Sequence, residues 1–219
     1  MEQKLQFFVA GLGRFGESVA VTLDQMGYDV MAMDKDEDVV QDLSDKLGYV
    51  VCADASDEKN LNAIGAGNAD VAVVAIGDLS ASLLTTLLLK DMGVKRIVVK
   101  ALDELHGKML QKIGADKIIY SEKEMGIRVA HNLTSSGIVD YIEMNNNITV
   151  VTIHIPEAWI GKTLLDLDVR RKYHITVVAI RRQKENFINP RPDMVMRAGD
   201  MLVILGDNAS VKEITSRLD

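Results

Sequence analysis

A GxGxxG motif made by Gly11, Gly13 and Gly16 follows the apolar run 5–10 and opens a segment in which apolar residues have helical spacing. A strand, a glycine turn and a helix start in this order form the phosphate-binding turn of doubly wound α/β folds. Gly11 permits a sharp turn, Gly13 lets the backbone approach phosphates without a Cβ, and Gly16 lets the helix pack close to the strand. The N–H groups at the helix start then face the phosphates. The motif in this context predicts a nucleotide-binding turn.

Two charged side chains extend this prediction. Asp34 follows Gly16 by 18 residues and ends the apolar run 30–33, where doubly wound folds place the carboxylate that accepts ribose hydroxyls. Arg14 brings a guanidinium into the turn, and its fork of donors suits a terminal phosphate. The alternative for Arg14 is a solvated residue in the first helical turn.

Composition excludes several classes of protein. The chain has 219 residues, of which 47% are hydrophobic and 26% charged, and this suits one large domain or two modest ones. Its net charge of −7 argues against a general nucleic-acid binder. Its apolar runs are far short of the ~20 residues of a membrane span, and residues 1–4 lack the layout of a signal peptide, so we expect a cytoplasmic protein. The single cysteine, Cys52, excludes an internal disulfide and lies in the apolar run 49–52, which predicts a buried thiol.

The first 120 residues alternate between strand-like runs and segments with helical spacing. The strand-like runs are 5–10, 29–34, 49–52, 71–76, 96–99 and 117–120. Repeated strand–helix units with right-handed crossovers predict an α/β fold with a Rossmann-like, doubly wound parallel sheet. The all-apolar run 71–76 predicts a central strand, whose end lies at the same sheet edge as the glycine turn.

The remaining sequence predicts a second domain. Ser121 followed by Glu124 forms a capping box before a helix at about 121–134, and the polar stretch 134–137 is typical of a linker. Partial alternation over 148–155 predicts a half-buried antiparallel strand. A helix at 164–173, strands at 175–180 and 201–205, and a closing helix at 209–218 complete a small α+β unit. We therefore predict a nucleotide-binding domain at 1–136, which includes the helix, and a second domain at 137–219.

These motifs together resemble the RCK family, also called KTN, of cytosolic proteins that gate bacterial potassium channels and transporters of the Ktr and Trk type. The segments that carry the resemblance are 10–16, 53–56, 74–77, 110–116 and 121–126, and, in the part similar to the family's C-terminal RCK domain, 160–164 and 199–206. The resemblance covers nearly the whole chain. It implies a regulatory protein that is not an enzyme and has no catalytic residues.

The resemblance also implies a set of residues that hold ATP, ADP or NAD(H). In it the three glycines hold the phosphates, Asp34 holds the adenosine ribose, and Asp54 and Ala55 flank the adenine. Arg14 in similar proteins reaches the terminal phosphate across a subunit pair, which would distinguish ATP from ADP. Glu122 matches a carboxylate that helps hold a cation near the phosphates, and its alternative role is to favour the helix dipole. The other candidate cofactor-binding residues of this domain are Phe15, Lys35, Ile76, Gly77 and Lys100.

A second ligand follows from the same resemblance, because some relatives bind cyclic di-AMP at a dimer interface. The corresponding positions here are Leu164, Leu165, Asp168, Arg170, Ile175 and Pro190. The chain departs from the family pattern at Arg171 and His174, where small residues are common; these side chains would either add phosphate contacts or close the pocket. The alternative for Leu164, Leu165 and Ile175 is a place in the hydrophobic core.

The expected partner is an integral-membrane potassium channel or transporter subunit at the inner face of the cell membrane. The resemblance implies homodimers that assemble into an octameric ring, with no nucleic acid bound. The alternative function is that of a small NAD(H)-dependent oxidoreductase, which needs a proton-transfer residue near the nicotinamide. None of the four histidines, His106, His131, His154 and His174, has a neighbouring carboxylate at a spacing typical of a catalytic pair.

Overall fold

The computed structural model describes residues 4–134, 137–145 and 147–216, which fall into two units that divide after Ser121. The first unit alternates strands and helices. Its strands are β1 (Gln6–Ala10), β2 (Asp29–Asp34), β3 (Val50–Cys52), β4 (Val71–Val74), β5 (Arg96–Lys100) and β6 (Lys117–Ile119). Its helices are α1 (Arg14–Gln25), α2 (Glu37–Leu43), α3 (Glu58–Ile64), α4 (Leu79–Asp91) and α5 (Glu104–Ile113).

The six strands pair in parallel in the order β3-β2-β1-β4-β5-β6, which confirms the predicted doubly wound sheet. Burial on both faces explains why the central strand β4 lacks polar residues. Ala72 and Val74 pack into the core on the face that α3, α4 and α5 cover, whereas Val73 packs into the core on the face that α1 and α2 cover. A parallel strand with helices on both faces has no side for water, so all its side chains are apolar.

Cys52 corrects one expectation, since its thiol is exposed rather than buried. β3 is the edge strand of the sheet and Cys52 is its last residue, so an apolar sequence context did not ensure burial. The sulfur lies 3.6 Å from the backbone carbonyl oxygen of Lys35.

The second unit begins in α6 (Ser121–Thr134) and contains an antiparallel sheet in the order β10-β9-β11-β8-β7. Its strands are β7 (Ile138–Asn145), β8 (Ile148–His154), β9 (Thr176–Arg182), β10 (Glu185–Ile188) and β11 (Met201–Gly206), and its other helices are α7 (Leu164–Leu167), α8 (Val169–Tyr173) and α9 (Asn208–Thr215). The helices α7, α8 and α9 contribute Leu167, Val169 and Val211 to a core with β8, β9 and β11.

Three details differ from the sequence prediction. The strands β7 and β10 were not predicted, and the single helix predicted at 164–173 is two short helices. They are divided at Asp168, whose backbone has a left-handed φ of 44° and ends α7. The structure also groups α6 with the second unit, whereas the sequence division placed it in the first domain; the boundary at 136 stays a prediction. Parts of the predicted linker and closing helix, at 135–136 and 217–218, lie outside the described residues.

Candidate nucleotide-binding site

The glycine turn lies between the end of β1 and the start of α1. Gly11 has a φ of +87°, and its N–H donates a hydrogen bond to the carbonyl of Met33 at 2.8 Å. A Cβ at this position would lie 2.8 Å from the carbonyl carbon of Ala75, so both the φ and the space require glycine. A Cβ at Gly16 would lie only 1.8 Å from the carbonyl oxygen of Gly11. These two glycines let the helix start, the turn and the strand after it pack together.

Gly13 differs from them, because a Cβ there would meet no atom within 4 Å. Gly13 is the N-cap of α1, and as a glycine it supplies no side chain to cap the first N–H groups of this helix. These donors therefore lack a side-chain cap at the positive end of the helix dipole, and the space beside Gly13 is open. Backbone N–H groups at a helix start are suited to binding anions such as phosphate. A side chain at position 13 would take up part of the open space beside these groups.

The carboxylate of Asp34 connects the glycine turn to the end of β2. Its Oδ2 accepts a hydrogen bond from the N–H of Leu12 at 2.5 Å, and its Oδ1 accepts one from the N–H of Asp36 at 3.0 Å. An ionised carboxylate offers about four lone-pair sites, so each oxygen retains the capacity to accept a ribose hydroxyl. The backbone carbonyl of Asp34 also accepts the N–H of Ala53 at 2.8 Å, which fixes the loop after β3.

Asp54 lies in that loop, at the same sheet edge. Its Oδ1 accepts hydrogen bonds from the hydroxyl of Ser56 at 2.7 Å and from the N–H of Ser56 at 2.8 Å. These bonds hold the pKa of Asp54 below its usual value, so the side chain is an ionised acceptor at neutral pH. The amide of Asn60 donates to the backbone carbonyl of Asp54 at 2.9 Å. Ser56 and Asn60 are not among the site residues predicted from the sequence, although the Asp-x-Ser spacing is typical of such a turn.

The other candidates of the first unit lie along the same carboxyl edge. Arg14 and Lys35 are exposed, Phe15 is half-buried against the core under α1, and Ala55 is buried. Ile76 and Gly77 follow β4, and Lys100 ends β5. Glu122 lies in the first turn of α6, in the second unit, and the described residues contain no group of three side chains that could hold a metal ion. The candidates of the first unit thus lie at one edge of the sheet, and their roles, like that of Glu122, stay predictions.

The second candidate set lies around α7 and α8. Leu165 is 72% exposed, and its N–H donates to the carbonyl of Pro192 at 2.9 Å, which places α7 beside the loop that contains Pro190. Leu164 is half-buried and Arg170 is exposed, as are Arg171 and His174. Ile175 is only 1% exposed and packs in the core, so the structure does not bring its side chain to the surface with the others.

The histidines offer little support for proton transfer at the nucleotide site. His106 is fully buried, and its Nδ1 accepts the N–H of Leu102 at 3.2 Å. Burial lowers the pKa of His106, so the ring is neutral near pH 7. The ring of His131 stacks on that of Tyr141, with 3.9 Å between the ring centroids. His154 and His174 lie in the second unit. The described part of the chain also contains no helix long and apolar enough to cross a membrane.

Comparison with known proteins identifies the family. Residues 7–121 match the family model of the TrkA-N domain, and residues 148–219 match that of the TrkA-C domain. The Ktr system potassium uptake protein C of Bacillus subtilis (strain 168) is 42% identical over 216 residues, which cover 98% of both chains. The chain belongs to the RCK family.

Solved RCK proteins share this fold. The GsuK channel bound to NAD matches all of this RCK chain with a TM-score of 0.54 and 25% identity. GsuK bound to ADP matches 59% of the chain with a TM-score of 0.51 and 28% identity. The RCK chain spans 39% and 33% of the two GsuK chains. In that channel, therefore, a related fold occurs with each of two adenine nucleotides.

Proposed function

We propose that this RCK protein is a nucleotide-sensing regulatory subunit that gates a membrane potassium channel or transporter. The observation that best supports the proposal is the arrangement at the carboxyl edge of the parallel sheet. The first donors of α1 have no side-chain cap, the space at Gly13 is open, and Asp34 is bonded to the same turn with acceptor capacity for a ribose. The relative from Bacillus subtilis, a potassium uptake protein, matches 98% of the chain and supports the potassium-transport role.

The ligand in this proposal is ATP, ADP or NAD(H). The turn around Gly13 holds the phosphates, Asp34 accepts the hydroxyls of the adenosine ribose, and Asp54 lies where the loop after β3 reaches the adenine. Exposed Arg14 extends from the first residue of α1, at the helix end that attracts phosphates. A guanidinium there contacts a terminal phosphate, so ATP gains an interaction that ADP lacks.

Gating follows from differential binding. Two subunits pair, ATP and ADP stabilise different arrangements of the pair, and the pairs build a ring whose expected size is eight subunits. A ligand shifts such an equilibrium only by its difference in affinity for the two arrangements, and each ~1.4 kcal/mol changes their ratio tenfold. The ring then acts on an integral-membrane potassium transport subunit from the cytoplasmic side.

Two further ligands belong to the same proposal. Cyclic di-AMP binds the second domain beside α7, where Leu165 is exposed next to the loop of Pro190. Glu122 helps hold a cation near the phosphates. Catalysis is not part of the proposal, because the buried, neutral His106 and the stacked His131 are poorly placed for proton transfer to a bound nicotinamide.

Substitution of Asp34 by alanine is expected to weaken the binding of ATP, ADP and NADH by at least about 100-fold. It removes an ionised acceptor for two ribose hydroxyls and also the partner of the Leu12 N–H, and hydrogen bonds to charged groups contribute about 1.5–3 kcal/mol each. Isothermal titration calorimetry of the full chain measures the three affinities.

Asp36→Ala is the matched control. It removes a neighbouring carboxylate that caps α2, while the backbone N–H that Asp36 donates to Asp34 remains. We expect Asp36→Ala to bind all three nucleotides within a few-fold of the parent. Parent-like binding by Asp34→Ala would place the ribose elsewhere, and turnover of NADH by the parent protein would support the oxidoreductase alternative instead.

A further inference from the structure

A cavity of about 380 Å³ opens at the amino edge of the parallel sheet, opposite the edge that carries the glycine turn. It lies where β1 and β2 begin, beside the end of α1 and the residues that precede β3. Its volume falls within the range of about 300–1,000 Å³ found for ligand pockets. This edge lies opposite the proposed nucleotide site, so an occupant here would not compete with the nucleotide.

The cavity combines an apolar floor with aromatic and acidic walls. Val30, Met31 and Ile64 supply apolar surface. Tyr28 and Tyr49 are 37% and 48% exposed, so their rings are accessible from solvent. Lining carboxylates come from Asp24 and Asp29. The described lining contains no lysine or arginine.

The two carboxylates lack a partner within the described chain. Neither Asp24 nor Asp29 accepts a hydrogen bond through its side chain or forms an ion pair there, in contrast to nearby Asp70, which pairs with Lys95 at 3.1 Å. Asp24 also lies in the last turn of α1, which contains no basic residue. A carboxylate at the negative end of a helix dipole is destabilising by itself. Residues that lower stability in this way are expected at functional sites.

These features fit a cation that carries an aliphatic stem. Two carboxylates and the carbonyl end of α1 attract a positive charge, and the tyrosine rings add cation–π attraction. A lysine or arginine side chain also has methylene groups that pack on Met31 and Ile64. Two carboxylates beside apolar and aromatic surface are too few oxygen ligands for a calcium ion, which takes six to eight.

We propose that this cavity receives a lysine or arginine side chain from a cytoplasmic segment of the membrane subunit. The source rests on the proposed function, and it follows from charge complementarity, since cytoplasmic loops of membrane proteins carry an excess of lysine and arginine. The amino edge of the sheet thus binds the membrane partner, while the carboxyl edge of the same sheet binds the nucleotide.

Methyl NMR of the full chain tests the chemistry of the cavity. With labelled isoleucine and methionine methyl groups, Met31 and Ile64 report on the cavity, and Ile76 reports on the nucleotide edge. The probe is acetyl-Leu-Arg-amide, and its neutral isostere contains citrulline in place of arginine. We expect the arginine peptide to shift the signals of Met31 and Ile64 with millimolar affinity and to leave Ile76 unchanged.

The double variant Asp24→Asn and Asp29→Asn is expected to weaken this binding at least tenfold, with nucleotide affinity unchanged as the check on its fold. The citrulline peptide is expected to shift neither signal. Equal shifts with citrulline, parent-like binding by the double variant, or no response to the arginine peptide would each overturn the proposal.

Photocrosslinking in cells tests the source of the side chain. The substitution Tyr49→p-benzoylphenylalanine, which keeps an aromatic ring in the cavity wall, is expected to crosslink to a lysine- or arginine-bearing segment of the membrane potassium transport subunit. The same amino acid at exposed Asn186, on β10 in the second unit, is the control and is expected to give no such product. Crosslinks from position 49 only to a second copy of this chain would contradict the proposal. Crosslinking that persists in the Asp34→Ala background, where nucleotide binding is expected to be weakened, would support this site independently of the nucleotide.

Discussion

Substitution of Gly16 by alanine is expected to abolish nucleotide binding and to lower the free energy of unfolding of the first unit by about 3 kcal/mol. A Cβ at position 16 would lie 1.8 Å from the carbonyl oxygen of Gly11 and 3.2 Å from the Cβ of Ala75. Because a backbone oxygen cannot move without moving the turn, relief of the clash deforms the proposed phosphate site itself. Urea denaturation followed by circular dichroism and calorimetric titration with ATP measure the two effects.

Gly13→Ala provides the matched control for Gly16→Ala. Its Cβ meets no protein atom within 4 Å, so we expect the stability of the first unit to stay within about 1 kcal/mol of the parent. Its nucleotide affinity should nevertheless fall at least tenfold, because the methyl group occupies the space in which we propose that the phosphates bind. If Gly13→Ala bound ATP like the parent, the phosphates would not lie above this turn.

Substitution of Asp200 by alanine is expected to destabilise the second unit by about 3–5 kcal/mol, since it leaves a partner charge without compensation. Asp200 is 1% exposed and accepts two hydrogen bonds from the guanidinium of Arg182, both at 2.8 Å, and one from the N–H of Arg197 at 2.8 Å. The single tryptophan, Trp159, is buried in the core of this unit, so its fluorescence during urea denaturation reports the change.

Arg191→Ala is the control for Asp200→Ala, because it breaks an ion pair of similar chemistry at the surface. Arg191 and Asp193 have side chains that are 79% and 65% exposed, and exposed pairs contribute about 0–1 kcal/mol. We expect the tryptophan-detected transition to change little in Arg191→Ala. A similar small change in Asp200→Ala would show that the Arg182 pair does not hold this unit together.

The effect of Asp200 also depends on pH. Burial alone would raise the pKa of Asp200, but the hydrogen bonds from Arg182 and Arg197 outweigh it and hold the pKa below its usual value. The stabilisation is therefore fully present above the unfolded-state value of about 4 and is lost as pH falls through the lower folded-state value. The difference in stability between the parent and Asp200→Ala should accordingly shrink below about pH 4, and a constant difference would contradict this origin.

Buried central strands could be predicted from the sequence, whereas the edge strands of the antiparallel sheet and the helix break at Asp168 could not. Strand β4 is recognisable because all its residues are apolar, and burial on both faces leaves no alternative. The strands β7 and β10 lack such a signal: both lie at the edges of the antiparallel sheet and carry exposed and charged residues. The break at Asp168 was not predicted, because a single left-handed residue leaves the helical spacing on either side intact.

The residues of the candidate site that can be predicted from the sequence are those whose backbone position permits few residue types. Gly11 and Gly16 are recognisable because no other residue fits their surroundings, and Asp34 because it ends the second strand. The hydrogen bond from the Leu12 N–H to Asp34 depends on how the fold places β2 beside the glycine turn, so no local sequence pattern predicts it. In the second domain, an apolar residue such as Ile175 suits a ligand contact and a core equally well, and only the structure distinguishes the two.

Small-angle X-ray scattering of the assembled full chain tests the central claim most directly, with ATP, ADP and NADH each at saturating concentration. If nucleotide controls the arrangement of subunits, ATP and ADP should give different scattering curves at the same molecular mass. Arg14→Ala, which lacks the proposed contact to the terminal phosphate, should give the same curve with both nucleotides. Superimposable curves for the parent protein with ATP and ADP bound, or a strictly monomeric mass, would contradict the account.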